Sequence, residues 1–431
     1  MRKLSCLCHR LALAAFLVAA TTVAALANGI TVPNDGGNGP QCGNANANSA
    51  KFAGNCGALV TVNNGDQTAA YVQENNPSLE AAYRVRLYFN PRLMTMANGD
   101  AFDIFAGYDG ADPAPGNTSG SAAVRVELQG ITPLGNGANK RIMVAVRQDN
   151  GSEMTSSSAP LSRGWHSIEF SHTRSTAPGN NNGTLDWWID GVAEISITGI
   201  DNDTEVVNYA RWGAVAGLDA GTNGTMRLDD YASQRSGAIG PAVPFGDVPK
   251  THPFWRFIQG AYATEIIPAA SVGTFDPNGN ITRKEMLKWV LTGRFSSDYV
   301  PPACSSATFS DVPCSHPYAD WIYDGVAKGI TAGCAPGLFC PDGTINRNQM
   351  AVFLLTARGV SPASCPPATF ADVPSGSPFC PFVNRIAADG ITAGCGGGNY
   401  CPNDLVSRGQ MAVFVQQNFA GFNVTSPLNA P

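Results

Sequence analysis

The chain has 431 residues, 27 basic against 33 acidic, a net charge of −6, and only 14% charged residues against 44% hydrophobic ones. That length excludes a single ordinary domain and suits two or three, each with its own core. The acidic balance disfavours nucleic acid or an anionic membrane surface as partner.

Residues 1–27 read as a secretory signal, with Arg2, Lys3 and Arg10 as a basic start, Leu11 to Ala20 as an apolar run, and Ala25-Leu26-Ala27 as a small-residue cleavage site. Cys6 and Cys8 precede the apolar run, so neither sits where a lipid-modified cysteine follows a leader. A mature chain starting near Asn28 keeps 24 basic and 33 acidic residues, and no later segment is apolar and long enough to span a bilayer. Ten cysteines remain, an even number in an exported chain, which argues for disulfides. There is no Cys-x-x-Cys pair, and His166, His172, His252 and His316 stand at no zinc-ligand spacing, so no zinc site is expected.

From about Ala69 to Arg235 short runs alternate apolar and polar residues between Gly, Asn and Asp, the pattern of half-buried antiparallel strands. Tyr83, Val85, Leu87 and Phe89 share one face; Phe102, Ile104 and Ala106, then Val124, Val126 and Leu128, then Ile142, Val144 and Val146 repeat the pattern. Leu185, Trp187 and Ile189 lead into Asp190-Gly191, the signature of a hairpin with a type I′ turn. Two packed antiparallel sheets are expected over residues 28–236, with Cys42 paired to Cys56 near their start.

The stretches GIDNDT, WGAVAGLDAGTNGT and LDDYASQR, between Gly199 and Arg235, resemble a concanavalin A-like (laminin G-like) sandwich, a likeness covering most of residues 60–236. Such sandwiches bind glycans, in some cases with calcium, and names of folds are not names of activities. Two readings of Asp201, Asp203, Asp219, Asp229 and Asp230 stand: oxygen ligands for calcium, or turn caps that bond nearby backbone N–H groups. Tyr88, Tyr108, Trp188 and Trp212 are candidates for stacking on sugar rings, with core packing as the alternative. The Glu-x-Asp-x-x-Glu strand of catalytic sandwiches is absent, as are Gly-x-Ser-x-Gly and His-Glu-x-x-His, so no catalytic residue is assigned and a non-enzymatic chain is expected.

Residues 237–244 form an uncharged linker of Gly, Ala and Pro with Val and Ile. Beyond it Phe245-Gly246-Asp247-Val248-Pro249, Phe309-Ser310-Asp311-Val312-Pro313 and Phe370-Ala371-Asp372-Val373-Pro374 recur 64 and 61 residues apart. Twenty-eight residues after each Asp come Phe275, Phe339 and Tyr400; thirty-six after come Arg283, Arg347 and Arg408. A first helix is expected just after Pro253, Pro317 or Pro378. A second follows the capping boxes Thr282 with Glu285, Asn346 with Gln349, and Ser407 with Gln410. Equivalent position pairs Cys334 with Cys340 and Cys395 with Cys401, and suggests Cys304 with Cys314 and Cys365 with Cys380.

An opening Phe-x-Asp-Val, a middle Gly-Ile, a Phe-x-Pro and a closing Thr-Arg-x-Glu, in that order and in triplicate, resemble S-layer homology repeats, here 245–300, 301–360 and 361–421 before a tail over 422–431. The expected architecture is therefore multidomain: an all-β jelly-roll sandwich followed by a mainly α bundle of three repeats. The resemblance implies pseudo-threefold assembly and acidic cell-wall polysaccharide held between repeats. It carries binding to Arg283, Arg347 and Arg408 with Asp247, Asp311 and Asp372 in support. Each arginine opens a helix whose free N–H groups and dipole favour an anion, and the guanidinium offers carboxylate a two-pronged grip. The competing reading has each arginine lock the bundle by pairing with an aspartate. Gln349 and Gln410 depart from the closing Glu, which puts some grooves in doubt.

The expectation is thus an exported protein of a bacterial surface or envelope, anchored through wall or outer-envelope polysaccharide and displaying a lectin-like sandwich, with no resident cofactor unless calcium occupies the sandwich. The alternatives are a surface-anchored carbohydrate-active enzyme, or a structural component of a surface layer.

Overall fold

A computed structural model describes residues 2–3, 29–31, 52–53, 57–63, 65–75, 77–110, 121–134, 139–162, 164–268, 273–297, 299–365 and 369–419. Cys42, Cys56 and residues 4–27 of the expected leader lie outside them. The chain divides after Pro244 into two compact units, each described by itself.

The strands of the first unit are β1 (Arg2–Lys3), β2 (Gly29–Thr31), β3 (Ala58–Val62), β4 (Ala70–Glu74), β5 (Ala82–Thr95), β6 (Ala101–Tyr108), β7 (Ala122–Gly130), β8 (Lys140–Arg147), β9 (Glu153–Ser157), β10 (His166–Thr173), β11 (Gly183–Ile189), β12 (Val192–Ala193), β13 (Ile197–Ile200), β14 (Tyr209–Ala216) and β15 (Asn223–Gln234). They form two antiparallel sheets. One runs β12-β11-β10-β5-β15-β3-β2, with β1 on β15 and β13 on β11; the other runs β4-β14-β6-β7-β8-β9. Alternation puts Tyr83, Val85, Leu87 and Phe89 of the first sheet against Val124, Val126, Leu128, Ile142, Val144 and Val146 of the second, all buried in one core. Asp190 and Gly191 take φ of 53° and 78° between Ile189 and its partner Val192, the positive pair a type I′ hairpin needs.

One strand departs from simple alternation. The β6–β7 ladder slips between Asp103 and Phe105, so Ile104 and Phe105 both face the core. Ala106 therefore joins Tyr108, Tyr209 and Val215 on the opposite face instead of pointing inward as its spacing suggests. A second slip lies in β14, where Gly213 holds φ at 141° and an added Cβ would sit 2.4 Å from the Ala70 carbonyl oxygen and 2.7 Å from the Tyr71 Cα. Because backbone cannot yield as a flexible side chain does, Gly213→Ala is expected to lower stability by about 2 kcal/mol in denaturant unfolding. A variant as stable as the parent would show that the strand moves freely there.

The second unit carries six helices among its described residues: α1 (Trp255–Ala263), α2 (Arg283–Phe295), α3 (Ala319–Ala327), α4 (Arg347–Ala357), α5 (Cys380–Ala388) and α6 (Arg408–Phe419). The second helix of each copy packs on the first helix of the next, α2 on α3 and α4 on α5, and α6 returns to α1. Their buried faces merge into one core around Met286, Met350 and Met411, each fully buried. The capping boxes close α2 and α4, with the Thr282 hydroxyl and the Asn346 amide oxygen accepting from the third residue on; Ser407 and Gln410 bond each other's N–H groups likewise. Disulfides join Cys304 to Cys314, Cys334 to Cys340, Cys365 to Cys380, and Cys395 to Cys401.

Candidate functional site

In the helical unit, three equivalent junctions close a ring. Asp247 accepts the N–H groups of Phe275 and Asp276, Asp311 those of Phe339 and Cys340, and Asp372 those of Tyr400 and Cys401, at 2.7–3.0 Å for the shorter contact of each. The carbonyl of the same aromatic residue is taken by the arginine of the preceding copy: Arg283 Nε donates to Phe339 at 3.0 Å, Arg347 Nε to Tyr400 at 2.7 Å, and Arg408 Nε to Phe275 at 2.8 Å. Each guanidinium also lies over that residue's ring, 4.9, 4.6 and 5.0 Å from its centroid. The three arginines are 6, 4 and 5% exposed.

Their remaining contacts stay inside the ring. Arg283 Nη2 donates to the Ala332 carbonyl, Arg347 Nη2 to the Thr392 hydroxyl, and Arg408 Nη1 to Glu285 at 2.7 Å. The helix-start N–H groups that a sequence reading leaves open to an anion are filled as well. Arg283 and Lys284 donate to the carbonyls of Gly343 and Pro341, Arg347 and Asn348 to those of Asp404 and Pro402, and Arg408 and Gly409 to those of Gly279 and Pro277. Arginine and aspartate thus never pair directly; each grips one end of the same aromatic residue's backbone, joining copy to copy.

In the sandwich, the aromatic candidates are mostly interior. Tyr88 stacks on Phe52 at 4.1 Å, Tyr108 on Tyr209 at 4.9 Å and Trp212 on Tyr231 at 5.7 Å, all buried, so these three offer no sugar platform. Trp188 is half-buried beneath the Arg84 guanidinium. The five aspartates also part company. Asp229 accepts the N–H groups of Phe52 and Ala53, and burial pushes its carboxyl up to about 7. Asp230 pairs with Arg86, and Asp219 caps the turn at Gly221 and Thr222. Asp201 and Asp203 converge with Asp149 to within 4.8 Å, a trio of oxygen donors of the kind calcium accepts.

The outer face of the six-stranded sheet carries a cluster that local sequence did not single out. Asp103 and Glu127 stand directly opposite across β6 and β7, and Arg125 lies two residues before Glu127 on the same face. Arg125 Nη1 meets Asp103 at 3.0 Å and Glu127 at 2.6 Å; its Nε and Nη2 grip Glu153 at 2.9 and 2.8 Å. The reach to β9 passes over Ala145, the small partner between Arg125 and Thr155. Burial raises the Asp103 carboxyl to about 6 although Arg125 opposes the shift, whereas the bonds from Arg125 hold Glu153 below the ordinary carboxylate range. Gln129 joins Glu127 to Arg141, and both Gln129 and Arg141 line a cavity of about 450 Å³ with Asp100 where the strands β6, β7 and β8 end. The signal was present as the polar alternates of three strands, but their convergence requires β6, β7, β8 and β9 to pair in that order.

Residues 244–287, 308–351 and 369–412 match the S-layer homology domain. The chain therefore contains three S-layer homology repeats, which mark an exported protein of the cell surface or envelope. No helix among the described residues is long and apolar enough to cross a membrane. An endoglucanase of Bacillus sp. (strain KSM-635) is 29% identical over 120 residues, 27% of this chain, and the match spans only 12% of that enzyme's length. Among solved structures, an endo-beta-1,4-glucuronan lyase from the fungus Trichoderma reesei is 16% identical over 44% of this chain and 85% of its own, with a TM-score of 0.33. An alginate lyase is 10% identical over 43% of this chain and 83% of its own, with a TM-score of 0.27. The expectation of a non-enzymatic chain is corrected by the similarity to an endoglucanase. Asp103, Glu127 and Glu153 come from three strands, whereas the pattern sought in the sequence places its carboxylates on one.

Proposed function

We propose that the chain is a carbohydrate-active enzyme held at the cell envelope by its three repeats, which take wall or outer-envelope polysaccharide as anchor. The observation that carries the catalytic half is the pair Asp103 and Glu153, displaced in opposite directions around one guanidinium on an accessible sheet face beside a polar cavity. Two carboxyls driven apart in this way divide into an acid and a base. In glycosidic hydrolysis Asp103 gives its proton to the leaving oxygen, Glu153 takes one from the attacking water, and Arg125 positions both. The similarity to an endoglucanase supports the same class of substrate.

In the anchoring half, Arg283, Arg347 and Arg408 with Asp247, Asp311 and Asp372 shape the walls of the grooves by tying copy to copy. Two measurements on the whole chain test the two halves separately. Incubation with a panel of β-glucans and polyuronates is expected to release new reducing ends; silence on every polymer removes the enzymatic half. Mixing with isolated envelopes is expected to bring the chain down with them on centrifugation, and a chain left in the supernatant removes the anchoring half.

A further inference from the structure

We infer that the cavity beside the Asp103 and Glu127 pair is a subsite for a carboxylate-bearing sugar, with Arg141 gripping the carboxylate, so that the substrate is a polyuronate and not a neutral glucan. This rests on the reading that Asp103 and Glu153 form a catalytic centre, and it adds the chemistry of the polymer and the residue that selects it.

A line of hydrogen bonds along the sheet face ties the cavity to the carboxyls. Arg125 holds Glu127, Glu127 accepts from the Gln129 amide at 2.6 Å, and the Gln129 amide oxygen accepts from Arg141 Nε at 2.7 Å. Gln129 faces Arg141 directly across β7 and β8 and lies two residues beyond Glu127, which itself stands opposite Asp103. Two residues of strand advance about 7 Å, so a polymer lying along the strands over Asp103 puts a neighbouring sugar unit at the cavity. The floor there is backbone. Gly130 donates to the Asp100 carbonyl at 2.8 Å and accepts from the Gly99 N–H at 3.1 Å, and an added Cβ on Gly130 would lie 2.1 Å from the Ala97 carbonyl oxygen. A crossing this close holds the cavity open in one shape before any ligand arrives.

Charge decides which sugar fits. The Arg125 guanidinium is shared among Asp103, Glu127 and Glu153, so its charge is already answered. Arg141, half-buried, makes one side-chain bond, to the neutral Gln129 amide, and among the described residues no carboxylate lies within ion-pair distance of it. Gln129 uses both ends of its amide, which fixes the guanidinium through Nε and leaves Nη1 and Nη2 to a ligand. Asp100, the other charged residue of the lining, is occupied by the turn before β6, where its Oδ2 accepts the Ala97 N–H. Two terminal nitrogens of a held guanidinium match the two oxygens of a carboxylate, whereas a sugar hydroxyl meets one of them and brings no charge. Asn98 and Thr132, exposed on the same lining, suit the hydroxyls of that ring.

The test uses the full chain with polyglucuronate, polymannuronate and polygalacturonate, each native and after chemical reduction of its carboxyl groups to the neutral glycan, and with neutral β-glucans, counting new reducing ends over time. At least one native polyuronate is expected to be cleaved with a kcat/KM at least about tenfold above that of its reduced form, the value of one charge-assisted bond. Arg141→Gln is expected to lose about as much on that polymer through KM, with kcat little changed. Arg141→Lys keeps the charge but not the fork and is expected to fall between. Thermal unfolding of each variant establishes that it is folded. Reduced polymers or neutral β-glucans cleaved as readily as the native polyuronates, or a folded Arg141→Gln chain with the parental KM, overturn the inference while leaving the catalytic reading intact. A folded parent that is silent on every polymer overturns the catalytic reading and this inference with it.

Discussion

Replacing Arg347 by alanine is expected to lower the stability of the helical unit by about 4 kcal/mol, read as a fall of about 10 °C in the midpoint of its helical circular dichroism. The side chain is 4% exposed and joins two copies: its Nε donates to the Tyr400 carbonyl at 2.7 Å, and its guanidinium lies between the rings of Tyr400 and Phe414. Truncation leaves the Tyr400 carbonyl without its side-chain donor in the interior, at about 1–3 kcal/mol, frees the half-buried Thr392 hydroxyl from one contact, removes two ring contacts and opens a cavity. Arg347→Lys keeps the charge but not the fork, so it is expected to fall between the two. Arg385→Ala is the control, because that side chain is 44% exposed and its ion pair with Asp389 is worth less than about 1 kcal/mol. An Arg347→Ala protein that melts with the parent yet fails to sediment with envelopes would return this arginine to direct contact with ligand.

Asp103→Asn is expected to reduce turnover on the susceptible polysaccharide by about a hundredfold or more, with KM little changed, since general acid catalysis contributes about 10²–10⁴. The pH profile distinguishes proton donation from mere packing. An acid with its pKa raised to about 6 is active when protonated, so turnover by the parent should decline as pH rises through about 6, and the variant should lack that limb. The same shift carries a stability term of known sign. A carboxyl that holds its proton more tightly when folded favours the fold below the unfolded pKa of 3.8, and that contribution disappears as pH rises through about 6. The variant should therefore lose less stability than the parent between those values. Parental turnover in Asp103→Asn would remove this carboxyl from the chemistry.

Local signals carried far in this chain because local physics decides them. Thr282 with Glu285 announces a helix start from two residues, Asp190-Gly191 announces a hairpin from two, and the spacing of Asp247, Asp311 and Asp372 announces a repeat by counting. What escaped was whatever depends on a partner from elsewhere. Arg283 looked poised for an anion because nothing nearby in sequence fills its helix start, yet the Gly343 carbonyl, sixty residues on, does so. The grouping of Asp103, Glu127 and Glu153 required four strands in register, β8 lying between β7 and β9, and the inward turn of Phe105 required a bulge that period-two spacing does not announce. Tyr88, Tyr108 and Trp212 alternate as exposed residues would, but other segments and rings lie over them.

Of the three helix-start arginines Arg408 is the one that meets a carboxylate, Glu285, because the first copy alone keeps a glutamate there; Lys284 with Asp342 and Arg358 with Asp389 supply the charge at the other two junctions. An anchor works under load, and a row of modules hooked only to neighbours peels from its free end, one contact after another. A necklace with a fastened clasp has no free end. Force entering the first copy is shared at once with the third, so detachment by shear must break several junctions together, and each of the three carries a charged fastener.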